Sequence, residues 1–98
     1  MIVRIVKMTM EEDKVESFIS GFDAFKEKIR AQPGCQYLEV LRDKNHSGIV
    51  FTYSEWDSED YLNDYRTTEL FQSAWGIAKP HFTAKPEAWS CHKILELK

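Results

Sequence analysis

The sequence has few of the residues that mark disordered or disulfide-bonded chains. Only 4 Gly and 3 Pro occur in 98 residues, whereas 43% of the residues are hydrophobic, which argues against disorder. Its two cysteines, Cys35 and Cys91, lie far apart and outside any Cys-x-x-Cys spacing, and two are too few for the disulfide framework of a small secreted domain. We therefore interpret both as buried, reduced thiols. The length and composition of the chain predict a single domain over residues 1–98, and we expect it to be cytoplasmic.

The chain also lacks an excess of positive charge and any long apolar run. Its 13 Lys and Arg are outnumbered by 16 Asp and Glu, and the sequence contains no basic stripe that would neutralise phosphates. Charged residues interrupt the apolar N-terminal segment, and no other segment approaches the ~20 apolar residues of a membrane span. We accordingly expect neither nucleic acid nor membrane as a partner.

Hydrophobic periodicity predicts four strands and two helices. The strands are expected at residues 2–8, 35–42, 49–56 and 86–97, which are rich in β-branched and aromatic side chains. A capping box, Thr9-Met10-Glu11-Glu12, is expected to start the first helix, and Asp57-Ser58-Glu59-Asp60 the second, which Thr67-Thr68 divides into two pieces. The order β-α-β-β-α-β is that of the ferredoxin-like α+β fold, a four-stranded antiparallel sheet with both helices on one face.

The two middle strands carry apolar side chains on both faces. In the second of them, Val50 and Trp56 alternate with Ile49, Phe51 and Tyr53. A sheet with one face in water alternates between apolar and polar residues, so both faces of this sheet are expected to be covered. Because the helices cover one face, a second copy of the chain is the economical cover for the other.

Several short motifs follow one another along the chain. They are Gly34-Cys35 through Arg42-Asp43, Tyr53-x-x-Trp56-Asp57-Ser58, Leu70-Phe71, and Pro80, Pro86 and Glu87 ahead of the last strand. In their order and spacing they resemble those of the antibiotic biosynthesis monooxygenase superfamily of dimeric α+β barrels. The resemblance covers almost the whole chain and implies a homodimer whose two sheets face each other, with a small apolar cavity between helices and sheet in each subunit.

The superfamily includes enzymes of several kinds. Some members oxidise anthrones or quinols with O2 and neither metal nor flavin, others degrade haem, and others isomerise phosphorylated sugars. Haem-degrading members combine the strand Trp, matched here by Trp56, with a first-strand Asn and a helix His. Lys7 stands near the Asn position and Trp75 at the His position, which argues against haem degradation. Leu70 replaces a second His that many members carry, so no family His is available as a base.

Trp56 and Tyr53 are the candidate catalytic residues. The Trp56 ring either packs in the core or lines the cavity with its N–H on a substrate oxygen, and the Tyr53 hydroxyl is placed to stabilise a developing oxyanion. Strand alternation puts Tyr53 on the opposite face from Trp56 unless the strand bulges. The candidate substrate-binding residues are Phe71, Trp75 and His81. Phe71 and Trp75 form an i, i+4 aromatic pair, for which core packing is the alternative interpretation. His81 is a candidate proton acceptor near pH 7, and its alternative interpretation is a solvated loop residue.

The sequence contains no recognisable metal or cofactor motif. Its histidines, at positions 46, 81 and 92, have no ligand at metal-site spacing, and no phosphate-binding loop, dinucleotide-binding or serine-hydrolase motif occurs. We therefore expect no metal and no cofactor. The resemblance favours a cofactor-independent monooxygenase that oxidises a small quinol- or anthrone-like aromatic substrate with O2. The alternatives are a non-catalytic module that binds a small hydrophobic ligand, and an isomerase.

Overall fold

Four antiparallel strands form one sheet in the computed structural model, which describes residues 1–98. The strands are β1 (Ile2–Thr9), β2 (Cys35–Arg42), β3 (Ile49–Trp56) and β4 (Glu87–His92). The helices are α1 (Val15–Phe22) and α2 (Lys26–Arg30) between β1 and β2, and α3 (Glu59–Arg66) and α4 (Glu69–Ala78) between β3 and β4. The strand order in the sheet is β2-β3-β1-β4, so the predicted ferredoxin-like α+β arrangement is confirmed.

Side chains alternate between two faces of this sheet. Even-numbered residues of β1 and β3 point toward the helices and form the inner face, while odd-numbered residues form the outer face. At one end of the inner face, Met8 and Val50 pack against α1 and α4. At the other end, Trp56 packs with Ile2, Cys35 and Leu62. The buried core therefore lies between the sheet and the helices, and Val3 is the one buried hydrophobic residue of β1 and β3 on the outer face.

The predicted capping box at Thr9 is wrong. Thr9 is the last residue of β1 and pairs with Ile49 of β3, so its backbone belongs to the sheet. A 3-10 turn at Glu12–Lys14 leads into α1 instead, and Glu11 caps that turn without a side-chain hydrogen bond. Pairing with β3 therefore carries the strand one residue beyond its predicted end at Met8.

The first helical segment is divided in two, although one helix was expected. After Phe22 the backbone N–H groups of Ala24 and Phe25 donate to carbonyls three residues earlier, which tightens the turn and ends α1. Gly21 and Asp23, which both have low helix propensity, lie at this break. The predicted break in the second segment is confirmed, because Thr68 caps α4 by accepting from the N–H of Phe71 at 3.1 Å.

The last strand is shorter than predicted. β4 ends at His92, which pairs with Ile2, the first residue of β1. The pairing of β4 with β1 ends there, residues 93–98 leave the sheet, and the expected extension to residue 97 is wrong. Cys91 points to the outer face and is exposed, because no helix covers that face. The prediction of buried thiols is thus correct for Cys35 and wrong for Cys91.

Gly34 is expected to tolerate no side chain. Its φ is 81°, and a Cβ atom there would overlap the ring of Tyr61. We predict that Gly34→Ala lowers the free energy of unfolding by about 1–3 kcal/mol from backbone strain, and further through the steric clash with Tyr61. Urea unfolding followed by tryptophan fluorescence measures the change.

Gly76→Ala is the matched control for that substitution. Gly76 lies inside α4, and a Cβ atom there would meet no atom within 4 Å. Alanine should therefore raise the free energy of unfolding by about 0.5–1 kcal/mol, the usual gain over glycine in a helix. Effects of the same sign and size at both glycines would contradict this account of Gly34.

Candidate functional site

A cavity of about 390 Å³ lies between the inner face of the sheet and the helices. Its volume is within the roughly 300–1,000 Å³ that is typical of small-molecule sites. All four strands contribute to its wall, as do α1, α2, α3 and α4. Most of the side chains that line it are apolar, including Val6, Phe18, Leu38, Leu62 and Ala74. The cavity is therefore suited to a small, largely apolar ligand.

Five aromatic rings in consecutive contact run from the end of β3 to the segment after α4. Trp56 stacks on Tyr65 with ring centroids 5.2 Å apart, and Tyr65 meets Phe71 edge-on at 5.3 Å. Phe71 stacks on Trp75 at 6.1 Å, and Trp75 meets Phe82 edge-on at 5.5 Å. The first four of these rings line the cavity. Contacts of this kind fix ring orientation, so the cavity presents preformed, flat aromatic walls.

The indole N–H of Trp56 is already engaged within the protein. Trp56 is 1% exposed, and its Nε1–H donates to the Ser54 hydroxyl oxygen at 3.0 Å. The expectation that this N–H holds a substrate oxygen is therefore not met in this arrangement. Ser54, which also lines the cavity, accepts this bond and retains its own hydroxyl hydrogen for donation. The hydrogen-bond donor at this end of the cavity is thus Ser54, oriented by Trp56.

Two arginines bring positive charge to the cavity wall. Arg4 of β1 lies in register between Ser54 of β3 and Ser90 of β4, and its Nη1 donates to the Ser90 hydroxyl at 3.0 Å. Arg66, the last residue of α3, is exposed and marks the solvent side of the cavity. Burial, and after it the charge of Arg66, lower the pKa of Arg4. No Asp, Glu, His or Lys lines the cavity, so its charge is wholly positive.

The remaining titratable group in the lining is the Tyr65 phenol. Burial raises the pKa of Tyr65 to about 12, so its hydroxyl is neutral in the physiological range. The nearby Cys35 thiol, whose pKa burial also raises, is outside the lining. The cavity therefore offers donors and cations, and no side chain that accepts a proton near pH 7.

The structure brings together three of the five predicted site residues. Trp56, Phe71 and Trp75 line the cavity, whereas Tyr53 and His81 do not. Tyr53 is on the outer face, where its hydroxyl donates to Glu55 Oε2 at 3.3 Å, because β3 pairs with β1 without a bulge between residues 53 and 56. His81 lies in the 3-10 turn Lys79–His81 after α4, outside the cavity wall.

Sequence reasoning missed the polar residues of the cavity. Ser54 and Arg4 occupy inner-face positions in strands whose other inner-face residues are mostly apolar, and a polar residue at such a position is the signal that identifies them. Tyr65 gives no signal beyond that of an aromatic residue in the second helix. Arg66 gave no signal beyond a favourable charge at a helix C-terminus.

The structure contains no cluster of side chains that is suited to binding a metal ion. No group of three or more His, Cys, Asp or Glu side chains is placed to hold a metal ion. None of the helices has the length and apolar character needed to cross a membrane.

Comparison with known proteins identifies relatives of this fold. The sequence model of the family described as "Antibiotic biosynthesis monooxygenase" matches residues 1–75. A solved structure of an antibiotic biosynthesis monooxygenase has a TM-score of 0.87 and 17% identity over 97% of this chain and 100% of that chain. No match is found among curated protein sequences.

Two further solved structures share the fold. A conserved protein from Methanosarcina mazei Go1 has a TM-score of 0.86 and 19% identity over 94% of this chain and 92% of its own. A protein from Mycobacterium tuberculosis has a TM-score of 0.86 and 14% identity over 99% of this chain and 98% of its own. At these identities the structural likeness concerns the fold alone.

The hydrogen bond between Trp56 and Ser54 makes a double-mutant prediction. Ser54→Ala should lower the free energy of unfolding by about 1–3 kcal/mol, because it leaves the buried indole N–H without an acceptor. In a Trp56→Phe background, which has no such N–H, the same change should alter it by about 0.5 kcal/mol or less. Urea unfolding followed by far-UV circular dichroism measures both values. Equal costs in the two backgrounds would show that the bond does not stabilise the fold.

Proposed function

The chain belongs to the antibiotic biosynthesis monooxygenase family, and on that premise we propose that it is a cofactor-independent monooxygenase. The proposed substrate is a small quinol- or anthrone-like aromatic compound, oxidised by O2. The observation that carries this proposal is the cavity, in which stacked rings form flat walls and the donor Ser54 is fixed beside them. An aromatic substrate fits such walls by its faces and presents its oxygen to the donor.

Ser54 is the proposed oxyanion donor. Its hydroxyl oxygen accepts from Trp56 Nε1–H, so its own hydrogen is left for donation and the accepted bond makes the hydroxyl a stronger donor. A substrate phenol or anthrone gains negative charge on oxygen when it loses a proton. A donor that is already oriented toward that oxygen stabilises the anion without reorganisation, and this is the main contribution expected from the protein.

The substrate itself must supply both the anion and the electrons. The lining has no carboxylate, imidazole or amine to take the proton, so the proton passes to water at the solvent side of the cavity. The resonance-stabilised anion transfers an electron to O2, and the substrate radical and superoxide combine into a peroxide anion. This anion takes a proton back from water and becomes a hydroperoxide. Loss of water then converts the CH2 of an anthrone into a carbonyl, so one oxygen atom enters the product and the other leaves as water.

A second candidate function is a non-catalytic module that binds a small hydrophobic ligand. The observation that favours it is the lack of a proton acceptor among the lining residues. An isomerase is supported less, because moving a proton between two carbons needs a group that both accepts and returns it. The Tyr65 phenol, with a pKa raised to about 12, is poorly matched to that role at neutral pH.

O2 uptake by the metal-free, flavin-free protein with a panel of anthrones and quinols tests the proposal. Uptake above autoxidation is expected, with Ser54→Ala lowering kcat about 100-fold, as for loss of one oxyanion donor. Trp56→Phe should lower kcat about tenfold, because Ser54 then loses its polarising partner. His46→Gln is the control, since His46 is exposed in the loop between β2 and β3 and should leave uptake unchanged.

The pH profile of the same assay separates the candidate mechanisms. The rate should rise with pH as each substrate ionises, so its midpoint should follow the pKa of the substrate from one compound to the next. A midpoint that stays constant across the panel would instead indicate a base in the protein. Saturable quenching of tryptophan fluorescence without O2 uptake would reject the monooxygenase and favour the binding module.

We also propose that the protein is a homodimer in which the outer faces of two sheets pack together. Large apolar side chains are exposed on this face, with Tyr37 at 43%, Leu41 at 45% and Trp89 at 45% of full exposure. Ile5 and Phe51 lie between them on the central strands. Charged residues of the same face are partly neutralised by the Lys7–Glu87 and Lys93–Glu55 ion pairs. Large exposed apolar side chains gathered on one face are typical of a protein interface. The two cavities would lie on opposite sides of the dimer, each closed by its own helices.

Trp89→Glu should convert the dimer to a monomer, because it places a charge in the apolar interface. Size-exclusion chromatography with light scattering measures the mass, and the wild-type chain is expected at twice the mass of one chain. Ile77→Glu, at a side chain 39% exposed on α4 and away from the outer face, should leave the dimer intact. A monomeric wild-type protein, or a dimer that survives Trp89→Glu and not Ile77→Glu, would contradict this interface.

A further inference from the structure

The cavity contains two positive charges that no acidic group in the protein offsets. Arg4 donates to the neutral Ser90 hydroxyl, and neither Arg4 nor Arg66 takes part in an ion pair. The charges are close enough for Arg66 to contribute to lowering the pKa of Arg4. Each guanidinium has five N–H donors, so most of the donors at this wall have no partner in the protein. Such an arrangement is unusual beside an apolar cavity.

A neutral ligand would make this arrangement less favourable. Filling the cavity removes water from Arg4 and from the inner side of Arg66, and an apolar ligand returns no acceptor to their N–H groups. A ligand with a carboxylate replaces that water with charge-assisted hydrogen bonds and reduces the repulsion between the two cations. The planar fork of each guanidinium also matches the geometry of a carboxylate.

We propose that the substrate is an aromatic carboxylate, whose carboxylate group binds Arg4 and Arg66 while its ring lies against Phe71 and Trp75. This assignment rests on the proposed function and names the substrate class of the same cavity. Ser90 is the positioning residue, since it holds one Nη of Arg4 and leaves the other donors directed to the ligand. The carboxylate lies toward the solvent side, which Arg66 marks, and the ring extends from there along Phe71 and Trp75.

A carboxylate fits this wall better than a phosphate ester does. Phosphate sites commonly use backbone N–H groups at a helix N-terminus, whereas Arg66 is at the C-terminal end of α3, where the helix dipole is negative. On the sheet, Arg4 is paired with strands on both sides, so its backbone N–H is not available to a ligand. The two guanidiniums are therefore the available anion-binding groups, and they suit a singly charged ligand.

Calorimetric titration of the full chain with 2-naphthoate, 2-naphthamide and 2-naphthyl phosphate tests the proposal. Naphthoate should bind about tenfold more tightly than naphthamide, which has the same shape and no charge. Arg4→Gln and Arg66→Gln should each weaken naphthoate about tenfold and change naphthamide less than about twofold. Lys44→Gln removes the same charge from the loop between β2 and β3 and should change neither. Arg66 is exposed, so Arg66→Gln decides the result if Arg4→Gln does not fold.

Several outcomes would overturn the assignment. Equal affinities for naphthoate and naphthamide, no binding of either, or an equal loss in Lys44→Gln would each remove the anion site. Tighter binding of naphthyl phosphate than of naphthoate would replace the carboxylate with a phosphate ester. The outcome is independent of catalysis, because failure of O2 uptake would reject the monooxygenase and leave the charge preference measurable. Uptake with neutral quinols that is unaffected by both arginine variants would reject this inference alone.

Discussion

The pairing of β1 with β3 determines both surfaces of this protein. Ile2 to Thr9 pair with Trp56 to Ile49 without a break, so every side chain on these strands has a fixed face. A shift by one residue would place Glu55 where Trp56 packs and Tyr53 where Ser54 meets the cavity. The cavity on the inner face and the apolar outer face are therefore two consequences of one register. A change of this register would therefore replace the residues of both surfaces at once.

The cavity exists because small and polar residues stand in the middle of an otherwise apolar inner face. Apolar clusters fill this face near Met8 and near Trp56, and Arg4 and Ser54 pair across the two central strands between them. Larger apolar residues there would pack against the helices and close the space. The hydrogen bonds of Trp56 to Ser54 and of Arg4 to Ser90 reduce the cost of burying polar groups at this place. These polar residues cost folding stability and give the cavity an ordered polar wall.

The strands and the break in the second helix were predictable because their signals are local. Enrichment in β-branched and aromatic residues identified β2 and β3 to the residue, and Thr67-Thr68 marked the start of α4. Errors arose where tertiary pairing decided the outcome, as at Thr9, which β3 keeps in the sheet, and after His92, where the pairing of β4 with β1 ends. The site was predictable only for its aromatic residues. Arg4, Ser54 and Arg66 come from three different elements, and their proximity depends on strand order and helix placement, which no local pattern contains.

The chemistry available to this cavity follows from the types of group that it contains. With donors and cations in the wall, the cavity is suited to stabilising negative charge on a ligand. Reactions that begin from an anion formed by the substrate's own acidity are compatible with such a site, and oxidation of electron-rich aromatics by O2 is one of them. The rigid rings and the oriented Ser54 then act mainly through position and electrostatics. Rate and selectivity in this protein would accordingly depend more on the acidity and charge of the substrate than on the ionisation of any side chain.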